Sequence, residues 1–217
     1  YDEIYKLIHS LQPQCLISNN HHLTPIPGED FQAFEKDLPG GNSTGFGGQS
    51  VSQLPLETCE TMNNSWGFNI TDKKYKSTKD LIHYMARAAS LNANFLLNVG
   101  PMPDGTIQPE FVSTLKEMGD WMKLNGQSIY GTRGNVVKEQ DWGVITAKDK
   151  IWYAHIIKTP KQSSYIFIPE VKNKVQKCSL LNGTKTLKFK QQPEGIFVYL
   201  EGVQLDPIDT IIELQIQ

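Results

Sequence analysis

A chain of 217 residues with 39% apolar side chains suits a packed globular core, in one large domain or one medium and one small. Its 21 basic and 23 acidic side chains leave a net charge of −2 with no basic block, unlike a nucleic-acid binder, and no apolar run approaches the roughly 18 to 20 residues of a membrane helix. Cys15, Cys59 and Cys178 are odd in number and lack C-x-x-C spacing, so structural roles are expected for them rather than a disulfide framework or a zinc site.

Tyr1 opens directly into a helical pattern, with Ile4, Leu7, Ile8 and Leu11 on one face. It ends at Gln12-Pro13, because a residue before proline avoids helical angles. With no initiator Met or leader ahead of it, the chain is expected to begin inside a longer protein. The runs "QCLIS", "DFQAF", "LPLET" and "NFLLNV" read as short buried strands. Between the last two lies a helix that Ser77 can cap, with Asp80 three residues on and Leu81, Met85, Ala88 and Ala89 inward. A second helix starts at Pro109, carries Phe111, Val112, Leu115, Met118 and Met122 on one face, and stops at Asn125-Gly126.

After about residue 131 the pattern changes to "GVITA", "KIWYAHII", "SYIFI", "TLKFK", "GIFVYL" and "TIIELQI", short β-rich runs separated by turn residues. They predict a separate antiparallel domain over 132–217. Strands alternating with helices over 1–131 predict an α/β fold, the C-terminal half of a (β/α)8 TIM-type barrel whose N-terminal half lies upstream.

In parallel α/β architectures sites gather at the carboxyl ends of strands. Each apolar run obeys that rule: "CLIS" leads into Asn19, Asn20, His21 and His22, "FQAF" into Glu35, and "LPLE" into Cys59, Glu60 and Trp66. Adjacent side chains on an extended chain point to opposite sides, so His21 and His22 are poorly placed to chelate one ion. Amides and neutral imidazoles suit sugar hydroxyls, and Trp66 suits either a sugar platform or plain core packing. Glycoside hydrolysis needs two carboxyl groups, for which Glu29, Asp30, Glu35, Asp37, Glu57 and Glu60 are available. Glu35 stands out because it follows Phe31, Ala33 and Phe34 at a strand end, the partly apolar setting a general acid requires, and Glu57 is second.

The stretches "LIHSLQPQCLISNN", "LPLETCETMNNSWGFN", "NFLLNVGPMPDGTI" and "LKEMGDWMKLNGQSIYGTR" together resemble the C-terminal half of the α-L-fucosidases of glycoside hydrolase family twenty-nine, over about residues 1 to 133. The resemblance implies a β-sandwich for the domain after the barrel. It also implies a retaining enzyme that removes terminal α-L-fucose through a covalent fucosyl-enzyme, without metal or organic cofactor. The family's nucleophile aspartate would lie on a strand before Tyr1, and the stretch matching "FQAFEKDLPG" selects Glu35 as acid/base, with Glu57 and Glu29 as alternatives. Asn20, His21, His22 and Trp66 become candidate substrate-binding residues, His21 standing where many relatives carry a basic residue, often arginine. Fucosylated oligosaccharides or glycoconjugates are the implied partners, and a periplasmic, secreted or lysosomal setting follows from the family. The rival readings are a non-catalytic carbohydrate-binding fragment and a metal-dependent barrel hydrolase using His21 and His22.

Overall fold

The computed structural model describes residues 1–43, 50–162, 164–183 and 185–217, which fall into two compact units, residues 1–75 with 92–108 and residues 76–91 with 109–217.

In the first unit, helix α1 (Asp2–Leu11) precedes three short strands, β1 (Gln32–Glu35), β2 (Leu56–Thr61) and β3 (Ala93–Asn98). The strands form a parallel sheet in the order β1-β2-β3, with Glu35 paired to Cys59 and Cys59 to Leu96. Because side chains alternate across a pleated sheet, Phe34, Leu56 and Thr58 are buried on one face. Ala33, Glu35, Glu57 and Cys59 share the other, half-buried face, where Leu96 is exposed.

One expectation fails here. "QCLIS" is not a strand: Ile17 donates its N–H to Asp30 Oδ2 at 2.7 Å and accepts from the Asp30 N–H at 2.7 Å. A side chain thus occupies the donor that a ladder would use, and the parallel sheet has three strands among the described residues instead of four. α1 is a helix as expected, and on its apolar face Ile8 is half-buried while Ile4, Leu7 and Leu11 are 58%, 58% and 78% exposed in this chain. The residue α1 buries is Tyr5, whose phenol reaches Glu29. The helix does end at Gln12.

The second unit begins with helix α2 (Thr78–Ser90), closed by a capping box in which Asp80 N–H donates to Ser77 Oγ at 3.1 Å and Ser77 N–H donates to Asp80 Oδ2. Its buried side is Leu81, Ile82, Ala86 and Ala88, so Met85 and Ala89 sit at the margin rather than inward. Helix α3 (Pro109–Asn125) buries Phe111, Met118 and Trp121, and of the apolar residues read on one face it leaves Val112 and Leu115 exposed. Thr78 on α2 donates to Glu117 on α3.

Among the described residues seven strands follow: β4 (Gly143–Lys148), β5 (Ile151–Ile156), β6 (Tyr165–Pro169), β7 (Val175–Leu180), β8 (Phe189–Gln192), β9 (Gly195–Tyr199) and β10 (Thr210–Ile216). They make antiparallel sheets β4-β5-β10-β7 and β6-β9-β8, whose inner residues, among them Ile145, Ile166, Ile168, Ile196, Val198, Ile212 and Leu214, form one apolar core. Strand β7 is absent from the sequence reading because its "VQKCSL" sends only Val175 and Cys178 fully inward, and pairing to β10 defines it. Burial pushes the Cys178 thiol up to about 12, as befits a small core residue. At Gly143 a Cβ would lie 1.9 Å from the His155 carbonyl oxygen, so only glycine admits this start of β4.

Candidate active site

The polar residues at the C-terminal end of β1 belong to the first unit and come from three segments. The loop after α1 brings Asn19 to His22, β1 ends on Glu35, and the loop after β2 brings Asn64 to Trp66.

Glu35 is half-buried, its side chain 21% exposed. Asn20 Nδ2 donates to Glu35 Oε2 at 2.6 Å, and His22 Nε2 lies 3.9 Å from the same oxygen. Its neighbour across the sheet is Cys59, a thiol held above its ordinary range first by burial and then by the negative charges of Glu35, Glu57 and Glu60. Cys59 is therefore a protonated, weakly reactive thiol at neutral pH. The backbone is left-handed at His22 (φ 57°) and at Lys36 (φ 54°), residues for which that region is uncommon, and both adjoin the carboxylate.

Glu29 has a different environment. Its side chain is only 2% exposed, and it accepts from Tyr5 OH at 2.8 Å, from His21 Nε2 at 3.0 Å and from the Ile26 N–H at 3.1 Å. Leu23 N–H donates to His21 Nδ1 at 3.0 Å, so that nitrogen is the acceptor and Nε2 carries the proton given to Glu29. Both ring nitrogens of His21 are thus engaged within the protein. Asn19 Nδ2 completes the group by donating to Tyr5 OH at 3.2 Å, and the Tyr5 phenol is held above its usual value mainly by burial. His21 and His22 face different carboxylates, and among the described residues no group of three or more His, Cys, Asp or Glu side chains is arranged to hold a metal ion.

Trp66 is 38% exposed. The Lys36 ammonium stands 5.0 Å from the centre of its ring and also donates to Asn64 O at 3.2 Å. Asn98, at the end of β3, donates to Trp66 O at 2.7 Å, and Gly100 lets the loop after β3 approach closely, since a Cβ there would meet the Gly67 carbonyl carbon at 2.4 Å. Asp72 ties the same loop, accepting from the Asn64 N–H and the Ser65 hydroxyl, each at 2.9 Å.

The structure therefore brings Asn20, His22 and Glu35 together, sets His21 with Glu29, and leaves Glu57 beside Cys59 on the same sheet face as Glu35. Sequence reasoning missed Tyr5, Lys36, Asp72 and Asn98. Only Lys36 carried a signal, as a cation beside the strand-end glutamate.

A family model described as Alpha-L-fucosidase matches residues 1–127. The plasma alpha-L-fucosidase of Pongo abelii is 33% identical over 126 residues, 54% of this chain and 26% of the relative. The tissue alpha-L-fucosidase of Bos taurus is 30% identical over 166 residues, 70% of this chain and 33% of the relative. Among solved structures, alpha-L-fucosidase isoenzyme 1 from Paenibacillus thiaminolyticus is similar with a TM-score of 0.81 at 32% identity, over 99% of this chain and 53% of that chain. The chain thus spans a quarter to a third of these curated relatives and about half of the solved structure.

Proposed function

Because the chain belongs to the alpha-L-fucosidase family, we propose that it supplies the acid/base side of a retaining α-L-fucosidase acting on fucosylated oligosaccharides or glycoconjugates. The observation that carries the reading is Glu35 at the end of a parallel strand, accessible, and held at one oxygen by Asn20 with His22 beside it. Residues 1–131 act as the C-terminal half of a (β/α)8 barrel and 132–217 as a β-sandwich, and the nucleophile aspartate comes from a preceding segment of a longer enzyme. The half-buried sheet face bearing Glu35, Glu57 and Cys59 is then part of the barrel interior.

In the first step the Glu35 carboxyl proton passes to the glycosidic oxygen as the bond to the leaving group breaks and the nucleophile carboxylate bonds to the anomeric carbon. In the second, the Glu35 carboxylate takes a proton from water, whose oxygen displaces the nucleophile and frees fucose. Asn20 is placed to orient the carboxylate in both steps. Trp66 offers an apolar face to the sugar while Lys36 approaches its ring, and His22 is near enough to Glu35 to meet a sugar hydroxyl. The family setting is a secreted, periplasmic or lysosomal one.

The test is Glu35→Ala in the full-length enzyme. Hydrolysis of natural fucosides should fall roughly 10² to 10⁴-fold. With an aryl fucoside bearing an acidic phenol the fucosyl-enzyme should accumulate, and azide should restore turnover by attacking without a general base. Loss on both substrates with no response to azide removes Glu35 from this role. Fucose binding without hydrolysis by the full-length protein would favour the non-catalytic reading.

A further inference from the structure

Resting on the acid/base reading of Glu35, we propose that Tyr5 and Glu29 are positioning residues: they form a buried hub that fixes the Asn19–His22 segment and so sets the placement of Asn20 and His22 on Glu35. The side chains of the segment go alternately to two sites. Asn19 and His21 turn to the hub, onto Tyr5 OH and Glu29, whereas Asn20 and His22 turn to Glu35. Anchoring the odd residues therefore dictates where the even ones can reach.

The hub is built to hold rather than to react. Glu29 receives a phenol, an imidazole N–H and a backbone N–H, and its side chain is 2% exposed against 21% for Glu35. Such charge-assisted bonds are the strong kind. Tyr5 is the only residue of α1 that is buried, so the helix contributes this one phenol to the arrangement. The chain also turns sharply after His21, with His22 left-handed at φ 57° and Leu23 N–H closing back on His21 Nδ1. A left-handed non-glycine persists only where its surroundings over-determine it, and the bond from His21 to Glu29 is the constraint next to it.

The experiment compares Glu29→Gln and Tyr5→Phe with the parent full-length enzyme, on an unactivated fucoside and on an aryl fucoside with an acidic phenol. A misplaced Asn20 and His22 weaken proton delivery, so kcat on the unactivated substrate should fall roughly tenfold with little change in KM, and the activated substrate should lose much less. Equal losses on both substrates, or no loss, overturn the proposal. Ring ¹⁵N spectra give a readout independent of turnover: Glu29→Gln should alter the signals of His21 and, through the shared segment, those of His22. A His22 signal identical to the parent overturns the coupling. If Glu35→Ala shows no azide response, the acid/base reading fails while these spectra still decide the hub.

Discussion

Asn20 and Glu35 are fifteen residues apart in the chain, yet the Asn20 amide donates to Glu35 Oε2 at 2.6 Å. A hydrogen bond to a charged group is worth about 1.5–3 kcal/mol, enough to hold a carboxylate in one rotamer. Asn20→Ala should therefore lower kcat on natural fucosides roughly tenfold, with a smaller effect on KM, because the amide holds the reacting group rather than the sugar. Steady-state kinetics on one unactivated fucoside decides it. A rise in KM at unchanged kcat would make Asn20 a substrate contact instead.

Asp72 predicts an acid limit to the order of the Trp66 loop. Burial by itself would raise its pKa, but donation from the Ser65 hydroxyl and from the Lys74 and Asn64 backbones outweighs that and holds the carboxyl below its ordinary value. A group with a depressed folded-state pKa stabilises above its unfolded value, about 3.9, and the contribution disappears as pH falls through the lower folded value. Trp66 accessibility to acrylamide should thus be constant between about pH 5 and 8 and rise below about pH 4. In Asp72→Ala it should be raised throughout. Trp121 and Trp142 are buried and contribute little to the quenching, and the half-buried Trp152 of the second unit adds a background that Asp72→Ala should leave unchanged. An acid transition that survives Asp72→Ala assigns the loop's order to another group.

In the second unit, His155 Nδ1 and Asp209 Oδ2 are 2.7 Å apart with both side chains fully buried, and His155 Nε2 lies 3.2 Å from Thr146 Oγ1. Removing one member of such a pair strands the other in a dry core. Asp209→Ala should cost about 3 kcal/mol, and Asp209→Asn, which keeps an acceptor, about 1 kcal/mol. Urea unfolding measures both through the midpoint at constant slope. Equal stability of the two variants would mean that the imidazole finds a different partner.

What the chain determined by itself is what neighbours within a few residues decide. The α2 capping box depends on Ser77 and Asp80, the end of α1 on Gln12-Pro13, and β1 to β3 on short apolar runs, so each was legible in outline. Family membership was legible for the same reason, being carried by contiguous stretches. Tertiary structure alone decided the outcomes that need a distant partner. "QCLIS" lost its place as a strand to the Asp30 carboxylate, β7 gained one from β10, and Tyr5 turned in to Glu29. The environments of the acids were likewise invisible in one dimension. Glu29 and Glu35 are six positions apart, but one meets a phenol and an imidazole in the interior and the other meets an amide at an accessible strand end, because hydrogen bonds depend on distance in space and not along the chain.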